Sequence, residues 1–159
     1  MPVRLRTGLR RIHIRTAAVE ALAQHILNLA GRPRTELSLS LVGDRRMQRL
    51  NQQYRRRDRT TDVLAFAFGE AEQPGPALLG DVIISVETAI RQAAEAGESL
   101  DRELARLLVH GVLHLVGYDH ERSEREARRM RLKESKIIHA LLPLPRLVWG
   151  GGQARRNRG

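Results

Sequence analysis

Apolar and polar positions change period repeatedly along the chain, and each change predicts an element. Residues 11–15 (RIHIR) alternate, which predicts a first strand. Residues 17–30 (AAVEALAQHILNLA) carry apolar side chains at helical spacing, and Gly31-Arg32-Pro33 supplies the stop. Leu37, Leu39 and Leu41 alternate within ELSLSLV, the pattern of a half-buried strand. Gly43-Asp44 turns the chain, with Asp44 placed to cap a helix running to Tyr54. TDVLAFAF (61–68) reads as a further strand, and the Pro- and Gly-rich EAEQPGPALLG (70–80) as an exposed loop. DVIISV (81–86) is a short apolar run expected at the centre of a sheet, followed by a helix over ETAIRQAAEA (87–96) that ends at Gly97. A longer helix is predicted from Ser99 and Asp101 to Val116. The last begins at Ser123, where S-E-R-E matches a capping box, and runs to Leu142.

Strands and helices are intermixed without strict βαβ repetition, and there are no internal repeats. The pattern predicts an α+β fold: one domain over residues 1–145, with a small mixed sheet of about four strands packed against about five helices. Residues 146–159 end in GGGQARRNRG and are predicted to be a disordered Gly/Arg-rich tail.

Composition narrows the chemistry. A chain of 159 residues fits one domain with a core large enough to need no staple. Cysteine is absent, which leaves His, Asp and Glu as metal ligands. No apolar run approaches the roughly 20 residues of a membrane span. The basic N-terminus, MPVRLRTGLRRIHIR, lacks the apolar segment of a secretory signal, so a cytoplasmic protein is expected. Lys and Arg number 28 against 18 Asp and Glu, a net charge of +10 carried mostly by arginine. Such a balance favours polyanions, nucleic acid foremost, although an arginine-rich proteome would produce it too. Aromatic residues make up 3% of the chain, too few for an extensive base-stacking platform.

The segment HGVLHLVGYDH (110–120) carries the chemistry. Residues four apart on a helix share a face, so His110 and His114 can point imidazole nitrogens at one ion. Leu104, Leu107, Leu108, Val112 and Leu115 mark the buried side of that helix, and the two histidines project from its edge. Gly117 falls where the helix should end and accepts positive φ at little cost, letting the chain turn back and bring His120 to the same ion. Three neutral imidazoles leave a fourth position for water, the mark of a catalytic zinc site. The spacing matches the H-E-x-x-H-x-x-G-x-x-H site of metalloproteases. Gly111, however, stands where those proteases place the general-base Glu, which counts against proteolysis.

These residues resemble the signature of the YbeY-type rRNA maturation factors, single-domain metal-dependent endoribonucleases that act in ribosomal RNA processing. The resemblance extends from Leu37 to Leu142. It includes LNQQYRRRDRTTDVLAFAF (50–68), LGDVIISVETAIRQAAEAG (79–97) and the helix carrying Glu126, Met130 and Glu134. It implies one Zn2+ ion on His110, His114 and His120, and it matches Arg55 to a family arginine implicated in activity, so that Arg55 and His114 are the expected catalytic residues. Family members often read YRGKDxPTDVLSFPF. Here Arg56, Thr60, Ala65 and Ala67 occupy the Gly, Pro, Ser and Pro positions, changes that bear on the loop beside Arg55 and on the groove.

Other residues divide between functional and structural readings. Arg55 opens a run, RRR-D-R, that spacing alone reads as a solvated helix end; the resemblance makes Arg55 a phosphate contact. Arg56, Arg57 and Arg59 are left as contributors to a positive field. Asp119 can orient a histidine ring or brace the turn after Gly117. Glu126 is expected to cap, Met130 to pack in the core, and His13, His25 and His139 have no partners at ligand spacing. Arg155, Arg156 and Arg158 are candidates for non-specific RNA contact.

The expected function is a single-strand-specific, zinc-dependent endoribonuclease acting on ribosomal RNA in ribosome maturation or quality control, with ribosomal or assembly proteins as further partners. Two alternatives are a non-catalytic ribosome-assembly factor with a structural zinc, and a zinc hydrolase of a peptide or amide bond. No residue in the sequence stands out as a general base.

Overall fold

The computed structural model describes residues 3–67 and 78–149. In chain order its elements are β1 (Val3–Thr7), β2 (His13–Ile14), α1 (Thr16–Leu29), β3 (Glu36–Val42), α2 (Asp44–Arg55), β4 (Val63–Ala67), β5 (Leu78–Ser85), α3 (Val86–Ala96), α4 (Leu100–Leu115), α5 (Glu124–Leu141) and β6 (Val148–Trp149). Four strands form the main sheet in the order β1-β3-β5-β4. β1 and β5 run parallel to β3, and β4 runs antiparallel to β5, so the sheet is mixed. The α+β architecture of four sheet strands and five helices is the one predicted.

Side chains alternate across a strand, so each strand contributes to two cores. Leu37, Leu39 and Leu41 of β3 and Val82 and Ile84 of β5 join the large cluster with α1 and α4. Val42, Leu64 and Ile83 face the other way and pack with Met47 of α2 in a small second cluster. Each fully buried side chain of this kind contributes about 1.5–3 kcal/mol. α4 lies against β4 and β5 and also touches α3, α5 and α1. Its buried set therefore exceeds one stripe and adds Ala105, Val109 and Leu113 to the five apolar positions expected.

Several expectations are corrected. RIHIR does not enter the main sheet: its strand is His13–Ile14, which pairs antiparallel with β6 in a separate two-stranded ribbon. The first sheet strand is instead Val3–Thr7, where Val3, Leu5 and Thr7 alternate with Arg4 and Arg6 and pair in parallel with Leu37–Leu41. Asp44 does not cap α2; Gly43 is the N-cap, and the Asp44 carboxylate turns to tertiary partners. β5 starts at Leu78, so the loop expected over 70–80 is strand at its last three residues, while 70–77 lie outside the described residues. The tail also begins later than residue 146. Leu147 is buried, its carbonyl accepts from the Arg15 N–H at 2.8 Å, and its own N–H donates to Asp101 Oδ1 at 2.9 Å. Those bonds tie Val148–Trp149 to the domain. Residues 150–159, with Arg155, Arg156 and Arg158, lie outside the described residues.

Candidate metal centre

α4 begins where Ser99 Oγ accepts the Arg102 N–H at 3.1 Å, a side-chain cap for an otherwise orphaned donor. It ends in the turn expected at Gly117. Gly117 has φ +106°, its N–H donates to the His114 carbonyl at 3.2 Å, and the Tyr118 N–H reaches back to Leu113 at 3.0 Å. This is a Schellman closure. Asp119 Oδ1 then accepts the Glu121 N–H at 2.9 Å, bracing the turn rather than a histidine ring.

The result brings His110, His114 and His120 together, with one ligand nitrogen of each within 4.8 Å of the others. His114 Nε2 lies 3.2 Å from His110 Nε2. Ligands at zinc–nitrogen bond lengths on a tetrahedral ion sit about 3.3 Å apart, so the helical pair is already at coordination spacing. Burial, reinforced by His110 and His120, holds His114 below its ordinary pKa of 6.5. A neutral imidazole is the ligand form. Donor chemistry and spacing therefore fit zinc or another ion that prefers imidazole.

A residue to which the sequence reading gave no role completes this arrangement. Glu134 of α5 places Oε1 2.5 Å from His110 Nδ1, which fixes the ring and leaves Nε2 to face the other histidines. No spacing in the sequence joins positions 110 and 134; the pair exists because α5 packs on α4.

The histidines open into a pocket of about 310 Å3 lined also by Arg55, Arg57, Thr61, Asp62 and Glu121. Arg55 reaches it as the last residue of α2, and Arg57 joins it from the following loop. That loop is strapped to its own helix: Asn51 Nδ2 donates to the Arg59 carbonyl at 2.9 Å and Gln48 Nε2 to Asp58 Oδ1 at 2.9 Å. Asp62 accepts the Val63 N–H at 2.7 Å and sets the start of β4 beside the site. Arg57 and Asp62 carried no signal separating them from neighbouring charges.

Gly111 has a steric reason. A Cβ there would lie 2.8 Å from Val82 Cγ1 and 3.1 Å from Val82 Cγ2, because α4 rests on β5 at this point. Any side chain at the position where zinc peptidases carry their base would press on Val82 from its Cβ onward. At the start of α5 the cap is Ser123, whose Oγ accepts the Glu126 N–H at 3.1 Å; the Glu126 carboxylate, expected to cap, instead lies 3.9 Å from Arg129, and Met130 is buried in the main core. His13 lies in the small ribbon, opposite Trp149.

The family model for Endoribonuclease YbeY matches residues 6–142. An Endoribonuclease YbeY of Geobacter metallireducens is 46% identical over 144 residues, which cover 89% of this chain and 96% of the relative. That of Syntrophotalea carbinolica is 50% identical over 128 residues, covering 79% and 85%. In the solved structures, the solution structure of TM1509 from Thermotoga maritima aligns with a TM-score of 0.62 at 25% identity, covering 98% of this chain and 93% of that one. Since the matched range holds β3 to β5, the three histidines and Glu134, the chain belongs to the endoribonuclease YbeY family.

Proposed function

We propose that this chain is an endoribonuclease that cuts single-stranded ribosomal RNA, in the cytoplasm and during ribosome maturation, with one zinc ion on His110, His114 and His120. The observation that carries the reading is the convergence of three imidazole nitrogens with Arg55 and Arg57 in one pocket. The relatives, named endoribonucleases, add RNA as substrate.

When bound, zinc supplies Lewis acidity and lowers the pKa of water towards neutrality. The protein's part is positional and electrostatic. His114, held neutral, and His110, oriented by Glu134, present ligand nitrogens without reorganisation. Arg55 offers a guanidinium fork to the scissile phosphate and balances the charge that grows there during attack. Arg57 holds an adjoining phosphate. The lining carboxylates, Asp62 and Glu121, keep the rest of the strand from crossing the pocket by like-charge repulsion. Hydrolysis of a peptide is disfavoured because position 111 carries no carboxylate and a side chain there would press on Val82.

Metal analysis of the purified chain, combined with cleavage of a defined single-stranded RNA with and without chelator, tests the reading. Zinc near one equivalent and chelator-sensitive cleavage are expected, and His114→Ala should abolish cutting. Cleavage that survives complete metal removal would sink the proposal. A His114→Ala protein that stays folded and cuts normally would do the same. If that variant loses its fold and RNA is never cut, the structural-zinc assembly factor is the better account.

A further inference from the structure

A second concavity lies at the other side of the sheet and shares no lining residue with the histidine pocket. Arg6, Arg10, Arg11, Arg45, Arg46 and Arg49 line one open cleft of about 1020 Å3 where β1 and β3 end and α2 begins. All six side chains are exposed, and among the described residues none has a carboxylate within 4.0 Å. The one acid in the lining, Glu87, accepts the Asp44 N–H at 2.8 Å. Six like charges around a single hollow repel one another, and a polyanion relieves that repulsion. Guanidinium forks match phosphate oxygens two at a time.

We infer that this cleft is a second RNA-binding site, which grips backbone phosphates of the strand whose scissile phosphate lies at the histidines; the inference rests on the endoribonuclease reading above. α2 joins the two sites. Arg45 and Arg49 stand in the cleft, about 15 Å and about 9 Å along the helix axis, at helical rise, from Arg55 in the histidine pocket. Exposed Gln52 and Gln53 lie between them. After Asp44 the helix has no acid, and the nearby Asp58 carboxylate is engaged by Gln48. A linear polyanion held at Arg55 therefore meets hydrogen-bond donors along the helix and then six arginines. The exposed Ile90 at the cleft wall gives a ribose or base an apolar face. An acidic protein segment would match the charge of the cleft but would gain nothing from its link to the histidine pocket.

The test is fluorescence anisotropy of the metal-free full chain with a labelled single-stranded RNA of about 20 nucleotides over a salt series. Arg45→Gln combined with Arg49→Gln should weaken binding about tenfold and reduce the salt slope by about 1.4, as expected for two lost phosphate contacts. Arg10→Gln with Arg11→Gln, in a loop where folding is not at stake, should act alike. Arg128→Gln with Arg131→Gln, exposed on α5, removes the same charge elsewhere and should leave affinity within about twofold. Equal weakening by the cleft and α5 pairs overturns the inference, since the arginines would then act as a diffuse field. Polyglutamate that binds more tightly than RNA, and is lost in the cleft variants, also overturns it in favour of an acidic protein. Cleavage by the metal-loaded wild type is scored separately. Cleft-dependent binding without cleavage removes the enzymatic reading and leaves the cleft; cleavage with no cleft dependence of binding removes the cleft alone.

Discussion

Glu134 Oε1 sits 2.5 Å from His110 Nδ1, and His110 Nε2 in turn sits 3.2 Å from His114 Nε2. A carboxylate on one helix thereby sets the ring orientation of a histidine on another. Partners of this kind typically account for about 10–100-fold in metal affinity. Glu134→Ala should weaken zinc binding by that range in a chromophoric-chelator competition, while Glu134→Gln recovers part of the loss. Unchanged affinity in Glu134→Ala would show that α4 alone orients His110.

Gly111 makes a different claim, about space. Alanine is the better helix former by about 1 kcal/mol, yet its Cβ would press on Val82 at 2.8 Å. Overpacking typically costs about 1–3 kcal/mol, so Gly111→Ala is expected to destabilise by about 1 kcal/mol net in urea unfolding. Adding Val82→Ala should remove the clash, making the double variant more stable than the sum of the two single effects. A single variant more stable than wild type would refute the packing account.

Arg56 follows α2 with φ 57° and ψ 33°, the left-handed region in which a side chain is strained. The resembling family pattern has glycine at this position. Arg56→Gly should therefore raise stability by up to about 1 kcal/mol, read as a higher denaturation midpoint at unchanged m-value. Loss of stability would mean that the Arg56 side chain has contacts worth more than the strain.

Asp44 ties three elements together. Its Oδ1 accepts from Ser85 Oγ at 2.7 Å and Thr88 Oγ1 at 2.6 Å, and its Oδ2 lies 2.8 Å from Arg91. Burial works against the charged form, but hydrogen bonds from Ser85, Thr88 and Arg91 outweigh it and hold the carboxyl below its ordinary 3.8. A pKa lower in the folded state stabilises the fold above the ordinary value, and that contribution is lost as pH falls through the lowered one. Acid unfolding of wild type should steepen below the ordinary carboxylate value, and Asp44→Asn should be less stable near neutrality with a shallower acid limb. An identical acid limb in both proteins would remove Asp44 from this role.

The features legible in the sequence are those set by short-range geometry. Helical period put His110 and His114 on one face, and the freedom of Gly117 at positive φ returned the chain so that His120 could join them. Alternation in ELSLSLV named a half-buried strand, and Ser99 and Ser123 marked helix starts that do cap. Each signal lies within a dozen residues and follows from backbone geometry that any neighbour would leave intact.

Tertiary packing decided the rest. The pattern VRLRT alternates as cleanly as RIHIR, yet one borders β3 in the sheet and the other pairs with a distant tail segment. A strand is fixed by its hydrogen-bonding partner, which periodicity does not name. Leu147 is buried because Arg15 and Asp101 hold its backbone, and Glu134 reaches His110 because α5 crosses α4. Local chain geometry suffices to let three histidines meet. The carboxylate that holds one of them, the valine that closes position 111 and the arginines gathered beyond α2 come from partners far away in the chain, whose proximity is a property of the folded core.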